Sequence, residues 1–286
     1  VKKLLLAIAM VLTVAVISGC SNASGEEKEV LKVALLPDES PAKIIEDNQK
    51  LKTYLEESLA MEVDLVVTTD YSSMIESMRN GHIDLGYFGP LSYVLLKTKM
   101  DEVEPFAAKL EDGEPTYHSV FVANADSGIE TLEDVKGHTI AWGDPSSTSS
   151  HMIPKEMLQA AGVSPEDYTE EFTGGHDAVA TAVQNGHAQA GGLSKPIYDS
   201  LIEEGVMDPN KVIELQLSDA YPNYPWAVRT DLDSELQEKI KQAFYDLEDE
   251  DILKSLDAEG FAPMTDEDYD IIRDMVDLLG LDVEDM

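Results

Sequence analysis

Five hydroxyl residues stand in a row at Ser146-Ser147-Thr148-Ser149-Ser150, directly after Gly143-Asp144-Pro145. Met152, Met157 and Leu158 follow at helical spacing, which places this run at the start of a helix. The first turn of a helix leaves backbone N–H groups without partners and carries the positive end of the dipole. Hydroxyls added to those N–H groups make a cradle for an oxyanion. A single Ser suffices to cap a helix, and five hydroxyls exceed that need. The run lacks the Lys of a phosphate loop, which disfavours a nucleoside triphosphate. His176 opens a second helical stretch after Gly174-Gly175, with Asp177 beside it. Its imidazole can offer the same anion a hydrogen bond or a charge. A capping or surface histidine is the plainer alternative.

Ser147, His176 and Asp177 also invite a hydrolytic reading. Adjacent side chains on a helix point apart, so Asp177 is badly placed to orient His176. No Gly-x-Ser-x-Gly elbow surrounds a serine. No His-rich metal spacing occurs, so the sequence implies neither an enzyme, nor a metal, nor a cofactor.

Where acids are missing tells the same story as where hydroxyls cluster. Asp and Glu number 57 against 20 Lys and Arg, a net charge of −37. Yet Leu85–Met100 and Ala220–Thr230 contain no acid, Gly137–Lys155 only Asp144, and Phe172–Tyr198 only Asp177. Burial accounts for Leu85 or Val94, but not for the polar loop Gly143–Ser150. A polar loop in so acidic a chain should carry more carboxylates than Asp144 unless they would repel a ligand.

The overall charge excludes non-specific nucleic-acid binding, which needs a cationic surface to displace counterions. Hydrophobic residues make up 43% of 286, enough for a buried core. The three arginines (Arg79, Arg229, Arg273) and the dense acids of residues 231–286 are expected of a surface that faces high salt or alkaline medium. One cysteine, Cys20, rules out an intrachain disulfide. It ends a segment with Lys2 and Lys3 followed by an apolar run, Leu4–Ile17, of 14 residues, too short for a comfortable span. The small residues of Ile17-Ser18-Gly19-Cys20 resemble a bacterial lipobox, which makes residues 1–19 a lipoprotein signal peptide and Cys20 the site of lipid attachment. The polar stretch 20–29 reads as a flexible tether. An otherwise soluble, extracytoplasmic monomer is expected, held at the membrane by its lipid alone.

These residues need a scaffold. From Val30 the chain alternates strand-like and helix-like segments: Val30–Leu36, Ala42–Leu59, Val63–Val67, Ser72–Arg79, Ile83–Phe88 and Leu91–Lys99. A second set runs from Ser119–Ala123 through Thr139–Trp142, Ser149–Ala161, Tyr168–Phe172, His176–Asn185, Ala188–Gly192 and Ile197–Glu204 to Val212–Leu217. Helical patterns close the chain at Ser234–Leu247, Asp251–Glu259 and Asp266–Leu279. This order predicts α/β architecture with two lobes, each a mostly parallel sheet flanked by helices. Residues 30–117 form the first lobe, 118–224 the second, and 225–286 return to the first with C-terminal helices. Ligands of such sheets sit outside the carboxyl ends of strands, which here means the cleft between lobes.

Several stretches together resemble the phosphate/phosphite/phosphonate-binding proteins of ABC importers. They are Tyr87-Phe88-Gly89-Pro90-Leu91-Ser92-Tyr93, Gly143–Ser149, Gly175–Ala180, Ala190–Pro196 and Tyr221–Trp226. The resemblance implies a two-lobed periplasmic-binding-protein fold of type II that closes on its ligand. It implies that Ser147, Thr148 and Ser149 hold a phosphorus oxyanion, that His176 contacts it from the same lobe, and that Tyr93 contacts it from the other. It also implies a membrane permease as partner. Two departures stand out. Ser150 replaces the Gly that usually follows Ser-Thr-Ser and is expected to alter the turn. Acids that would meet an ammonium are absent near Lys195-Pro196 and Asn223-Tyr224, which favours phosphite, phosphate or methylphosphonate over 2-aminoethylphosphonate. A sensor lipoprotein presenting the same anion to a signalling partner, or a binding protein for another small anion, is the alternative.

Overall fold

The computed structural model describes residues 30–282; Cys20, the leader and the tether lie outside them. The first lobe opens with β1 (Val30–Leu35), α1 (Pro41–Asp47), α2 (Gln49–Leu59), β2 (Glu62–Val67), α3 (Tyr71–Arg79), β3 (Leu85–Tyr87), α4 (Pro90–Lys99) and β4 (Val103–Lys109). The second holds β5 (Thr116–Asn124), β6 (Thr139–Trp142), α5 (Ile153–Ala160), β7 (Thr169–Phe172), α6 (His176–Gln184), β8 (Ala190–Ser194), α7 (Lys195–Glu203) and β9 (Val212–Pro222). The chain then returns through β10 (Pro225–Arg229), α8 (Ser234–Tyr245), α9 (Glu250–Ser255), β11 (Phe261–Pro263) and α10 (Asp270–Leu279).

The first sheet has the order β11-β4-β10-β3-β1-β2 and the second β7-β6-β8-β5-β9. Both are mixed rather than mostly parallel. β1 runs parallel to β2 and β3, and β6 parallel to β7 and β8. β10 is antiparallel to β3 and β4, and β5 antiparallel to β8 and β9. The reason lies in the crossings. Apart from the short edge strand β11, which is antiparallel to β4, strands reached through a covering helix end at the seam between lobes. β5 and β10 arrive from the other lobe, so they start at the seam and run away from it.

Two local departures have clear causes. The helix expected over Ala42–Leu59 breaks at Asn48, whose side-chain amide donates to the Ile44 carbonyl at 2.9 Å and competes with the helical ladder. β4 is masked in the sequence by Pro105, which removes a ladder donor. Pro105 is tolerated because the register with β10 shifts between Trp226 and Ala227, a bulge beside that proline.

Apolar faces fix the layers. Met74, Ile75 and Met78 of α3, Leu91, Val94 and Leu95 of α4, and Ile272, Met275 and Val276 of α10 are buried in one core. Leu51 and Leu55 of α2 and Ile240 and Phe244 of α8 pack the opposite face of the same sheet. Val179, Val183 and Leu201 cover the second sheet from α6 and α7.

Candidate functional site

The hydroxyl run lies at the carboxyl end of β6. Thr148–Met152 form a wide π-helical turn that precedes α5. Met152 N–H reaches the Ser147 carbonyl at 3.1 Å, five residues back. Pro154 has no N–H to offer the Ser150 carbonyl, which takes the Gly143 N–H instead at 3.3 Å.

Each hydroxyl is oriented by what it already accepts. Ser147 Oγ accepts from Ser150 N–H at 3.2 Å, and Thr148 Oγ1 from Leu91 N–H of the other lobe at 2.8 Å. With their lone pairs engaged, these groups have their protons left to donate. Ser149 Oγ lies 3.1 Å from the Tyr224 hydroxyl, and its carbonyl is held by Ser119 Oγ at 2.6 Å. Ser150, the departure from Gly, is engaged within its own lobe. It accepts from Gly143 N–H at 2.9 Å and donates to the Gly192 carbonyl at 2.6 Å, tying the loop to β8.

His176 stands at the first position of α6 after Gly175. Its Nδ1 lies 3.2 Å from Ser194 N–H and accepts from it, which places the ring proton on Nε2. That Nε2 is buried without a partner. Burial pushes the imidazole down to about 3, so His176 offers a neutral N–H and not a charge. Its backbone N–H donates across the seam to the Asp38 carbonyl at 2.7 Å. A Cβ on Gly175 would meet that carbonyl at 2.9 Å, so only glycine permits the approach.

Tyr93 does not belong to this group. It is buried, but its hydroxyl donates to Asp266, which also takes Arg273, and its ring packs against Tyr269 with centroids 5.2 Å apart. From the same helix, among the described residues, only the Leu91 backbone N–H is bonded to a cradle hydroxyl, that of Thr148. Tyr93 therefore serves the core beneath α10.

The tyrosines that do meet the cradle are Tyr71 and Tyr117. The Tyr117 hydroxyl is buried without a fixed partner, beside the hydroxyls of Thr148 and Ser149. Tyr71 begins α3 and lies against Ser147, while its N–H is 3.4 Å from Asp144 of the other lobe. Burial raises both phenols well above their ordinary range, so both keep their protons. Among the described residues, no lysine or arginine bonds to the cradle hydroxyls. Beside the cradle a cavity of about 410 Å³ opens between the lobes, lined by Asp38, Glu39, Lys109, Glu111, Ser194 and Tyr224 among others. At its mouth Lys43 of the first lobe pairs with Glu204 of the second at 2.7 Å.

Residues 33–269 match the model of the ABC transporter, phosphonate, periplasmic substrate-binding protein family. The chain belongs to that family. Among curated relatives, the phosphate-import protein PhnD of Mycolicibacterium smegmatis is 30% identical, covering 88% of this chain and 86% of its own. The probable ABC transporter phosphite binding protein PhnD1 of Prochlorococcus marinus is 26% identical over 73% of each chain. The solved structure of PhnD1 from Prochlorococcus marinus in complex with methylphosphonate superposes with a TM-score of 0.83 at 23% identity, covering 88% of this chain and 98% of that one. The fold is thus the two-lobed periplasmic-binding-protein fold, and the chain is an extracytoplasmic transport component rather than an enzyme.

Within this binding protein, the sequence does carry a signal for the two missed tyrosines. Tyr71 follows β2 and Tyr117 opens the crossing strand β5. Both positions are strand ends at the seam, where ligands of α/β sheets collect. Tyr93 drew attention because its motif borders that region, but Asp266 and Tyr269 engage its side chain.

Proposed function

We propose that the chain captures a small phosphorus oxyanion (phosphite, phosphate or methylphosphonate) in the seam between lobes and delivers it to an ABC permease. The observation that carries this reading is a pair of buried proton donors left without acceptors at the seam. The His176 Nε2–H is buried and unpartnered, and so is the Tyr117 hydroxyl, which lies beside Thr148 and Ser149. A buried donor left unpaired costs about 1–3 kcal/mol, and an oxyanion satisfies several at once. Neutral, fixed donors stabilise the anion at contact distance without a surface cation.

Ser147, Thr148, Ser149 and His176 are the ligand donors in this reading, joined by Tyr71 and Tyr117 in place of Tyr93. Closing the lobes brings Leu91 N–H to Thr148 and Asp38 to His176, so binding and closure are coupled. The chain works as a monomer anchored through lipid on Cys20, residues 1–19 having been removed. Residues 20–29 leave the lobes free to meet the permease.

Titration calorimetry against phosphate, phosphite, methylphosphonate and 2-aminoethylphosphonate tests the reading. Tight binding of one of the first three is expected. No heat from any of the four sinks it. The anchor is tested separately: Cys20→Ser should block processing or release the protein into the medium.

A further inference from the structure

The groups identified above as turned toward the cradle are donors. Two buried carboxyls stand near them: Asp144 already accepts the Ser146 and Tyr71 N–H groups, whereas Asp38 accepts no hydrogen bond on its carboxyl from another described residue. It follows β1, and its carbonyl is fastened to the His176 N–H at 2.7 Å across the seam. Its side chain is buried, at 8% exposure, and shares the cavity wall with Tyr224 and Ser194. Those two residues hold Ser149 and His176 in place. Asp38 therefore lines the same cavity wall as the two residues that hold the cradle.

We infer that Asp38 accepts the ligand's own proton, so that the seam selects phosphorus oxyanions bearing a P–OH over sulfur oxyanions of the same shape, which have none. This rests on the function proposed above and adds its specificity-determining residue. A phosphonate monoanion has one O–H to give to an ionised Asp38, and the rest of its oxygens accept from the cradle. A sulfonate offers only acceptors. It can enter only if Asp38 itself carries the proton, because two unprotonated anions in a buried seam repel. In either complex one proton is shared by Asp38 and the ligand, and the two titrate as a pair. The monoanion brings that proton with it, the dianion or sulfonate takes it from water, and no bond to phosphorus or sulfur changes.

The surroundings of Asp38 suit this role. Lys109 of β4 faces it, but that ammonium is turned to the Leu256 carbonyl at 2.6 Å and lies 5.1 Å over the Tyr87 ring. Asp177 of α6 faces it as a like charge, and the adjacent Glu39, itself raised to about 8 by burial and by Asp38, titrates beside it. The phenols of Tyr71, Tyr87 and Tyr224 surround it from α3, β3 and the hinge. Burial, opposed by Lys109 and reinforced by Asp177, brings the carboxyl to about 7, so it gains or loses a proton near neutrality.

The test compares methylphosphonate with methanesulfonate by calorimetry in the wild type, Asp38→Asn and Asp177→Asn. The wild type is expected to prefer methylphosphonate by about tenfold to a hundredfold at pH 8, the worth of one hydrogen bond to a charged group. Its methanesulfonate affinity should fall about tenfold from pH 8 to pH 9, because Asp38 must take up a proton. Asp38→Asn should cut the preference to within about threefold and abolish that fall; an amide donates to either anion without titrating. Asp177→Asn should keep the preference. A merely structural role for Asp38 would weaken both ligands alike. Should Asp38→Asn fail to fold, the wild-type pH arm still decides. Tight methylphosphonate binding with the preference unchanged in Asp38→Asn, or with methanesulfonate affinity flat from pH 8 to pH 9, overturns the assignment of Asp38 alone. A wild type that binds no phosphorus oxyanion overturns the function above as well.

Discussion

Across the seam, the second lobe brings side chains whose orientation is set mostly from within that lobe. Ser147 is fixed by Ser150 N–H, His176 by Ser194 N–H and the Ser149 backbone by Ser119. The first lobe brings instead a helix N–H at Leu91, a backbone carbonyl at Asp38 and the phenol of Tyr71. Those groups meet the cradle only where the lobes touch. The contrast teaches that the second lobe carries a preorganised donor set, while the first reports and secures closure. Preorganised donors raise affinity because nothing has to be ordered when the anion arrives.

The sharpest way to break this comparison is Thr148→Ala, because Thr148 belongs to both halves. In the proposed reading it donates toward the anion, and it accepts Leu91 N–H from the first lobe. Affinity should fall by more than about a hundredfold, a charged hydrogen bond of roughly 1.5–3 kcal/mol plus a weakened closure. Calorimetry reads the first and small-angle scattering with ligand the second. Loss of affinity with normal closure would confine Thr148 to the donor set.

His176→Ala should cost about ten- to a hundredfold. Because His176 is held neutral far below its ordinary value, the ratio of wild-type to variant affinity should be the same at pH 6 and pH 8. A ratio that grows at pH 6 would show an imidazolium at work. Stability carries the opposite signature. His176 and His151 are depressed to about 3 and about 4 by burial, so the unfolded chain takes up their protons first as pH falls from 6.5. Their contribution is intact above about 6.5 and is lost progressively toward pH 4.

The two tyrosines give a paired test of smaller size. Tyr117→Phe should weaken binding about tenfold and leave the melting temperature nearly unchanged, since the phenol has no fixed partner. Tyr93→Phe should do the reverse, lowering stability by about 1 kcal/mol through its lost bond to Asp266 while affinity holds. A binding defect in Tyr93→Phe would return that residue to the site.

The smallest effect belongs to Lys43→Ala at the mouth of the cavity. Its pair with Glu204 is partly exposed, so closure should weaken by less than about 1 kcal/mol. The effect should shrink further in molar salt. The cradle, built from neutral donors, should bind as well or better as salt rises, because screening relieves the repulsion from a chain of net charge −37. A clear fall in affinity with inert salt, the protein staying folded, would point to a local cation instead.

Much of this was legible along the chain, for a physical reason. Hydroxyls at a helix start, glycines at His176, and polar loops without acids are local patterns, and helix ends bind anions by local backbone chemistry. The α/β alternation, likewise, is a matter of period and punctuation, which residues near in sequence decide. Tertiary structure decided what sequence neighbours cannot. The direction of β5 and β10 follows from the lobe they come from, and the strand over Pro105 exists because a bulge on β10 accommodates it. The exchange of Tyr93 for Tyr71 and Tyr117 turned on which side chains each phenol meets in the folded chain, not on motif distance. The protonation of His176 is likewise tertiary. Its neutral Nε2–H depends on burial and on Ser194, 18 residues away, and Asp38 comes to the seam only because a glycine at 175 lets two backbones touch.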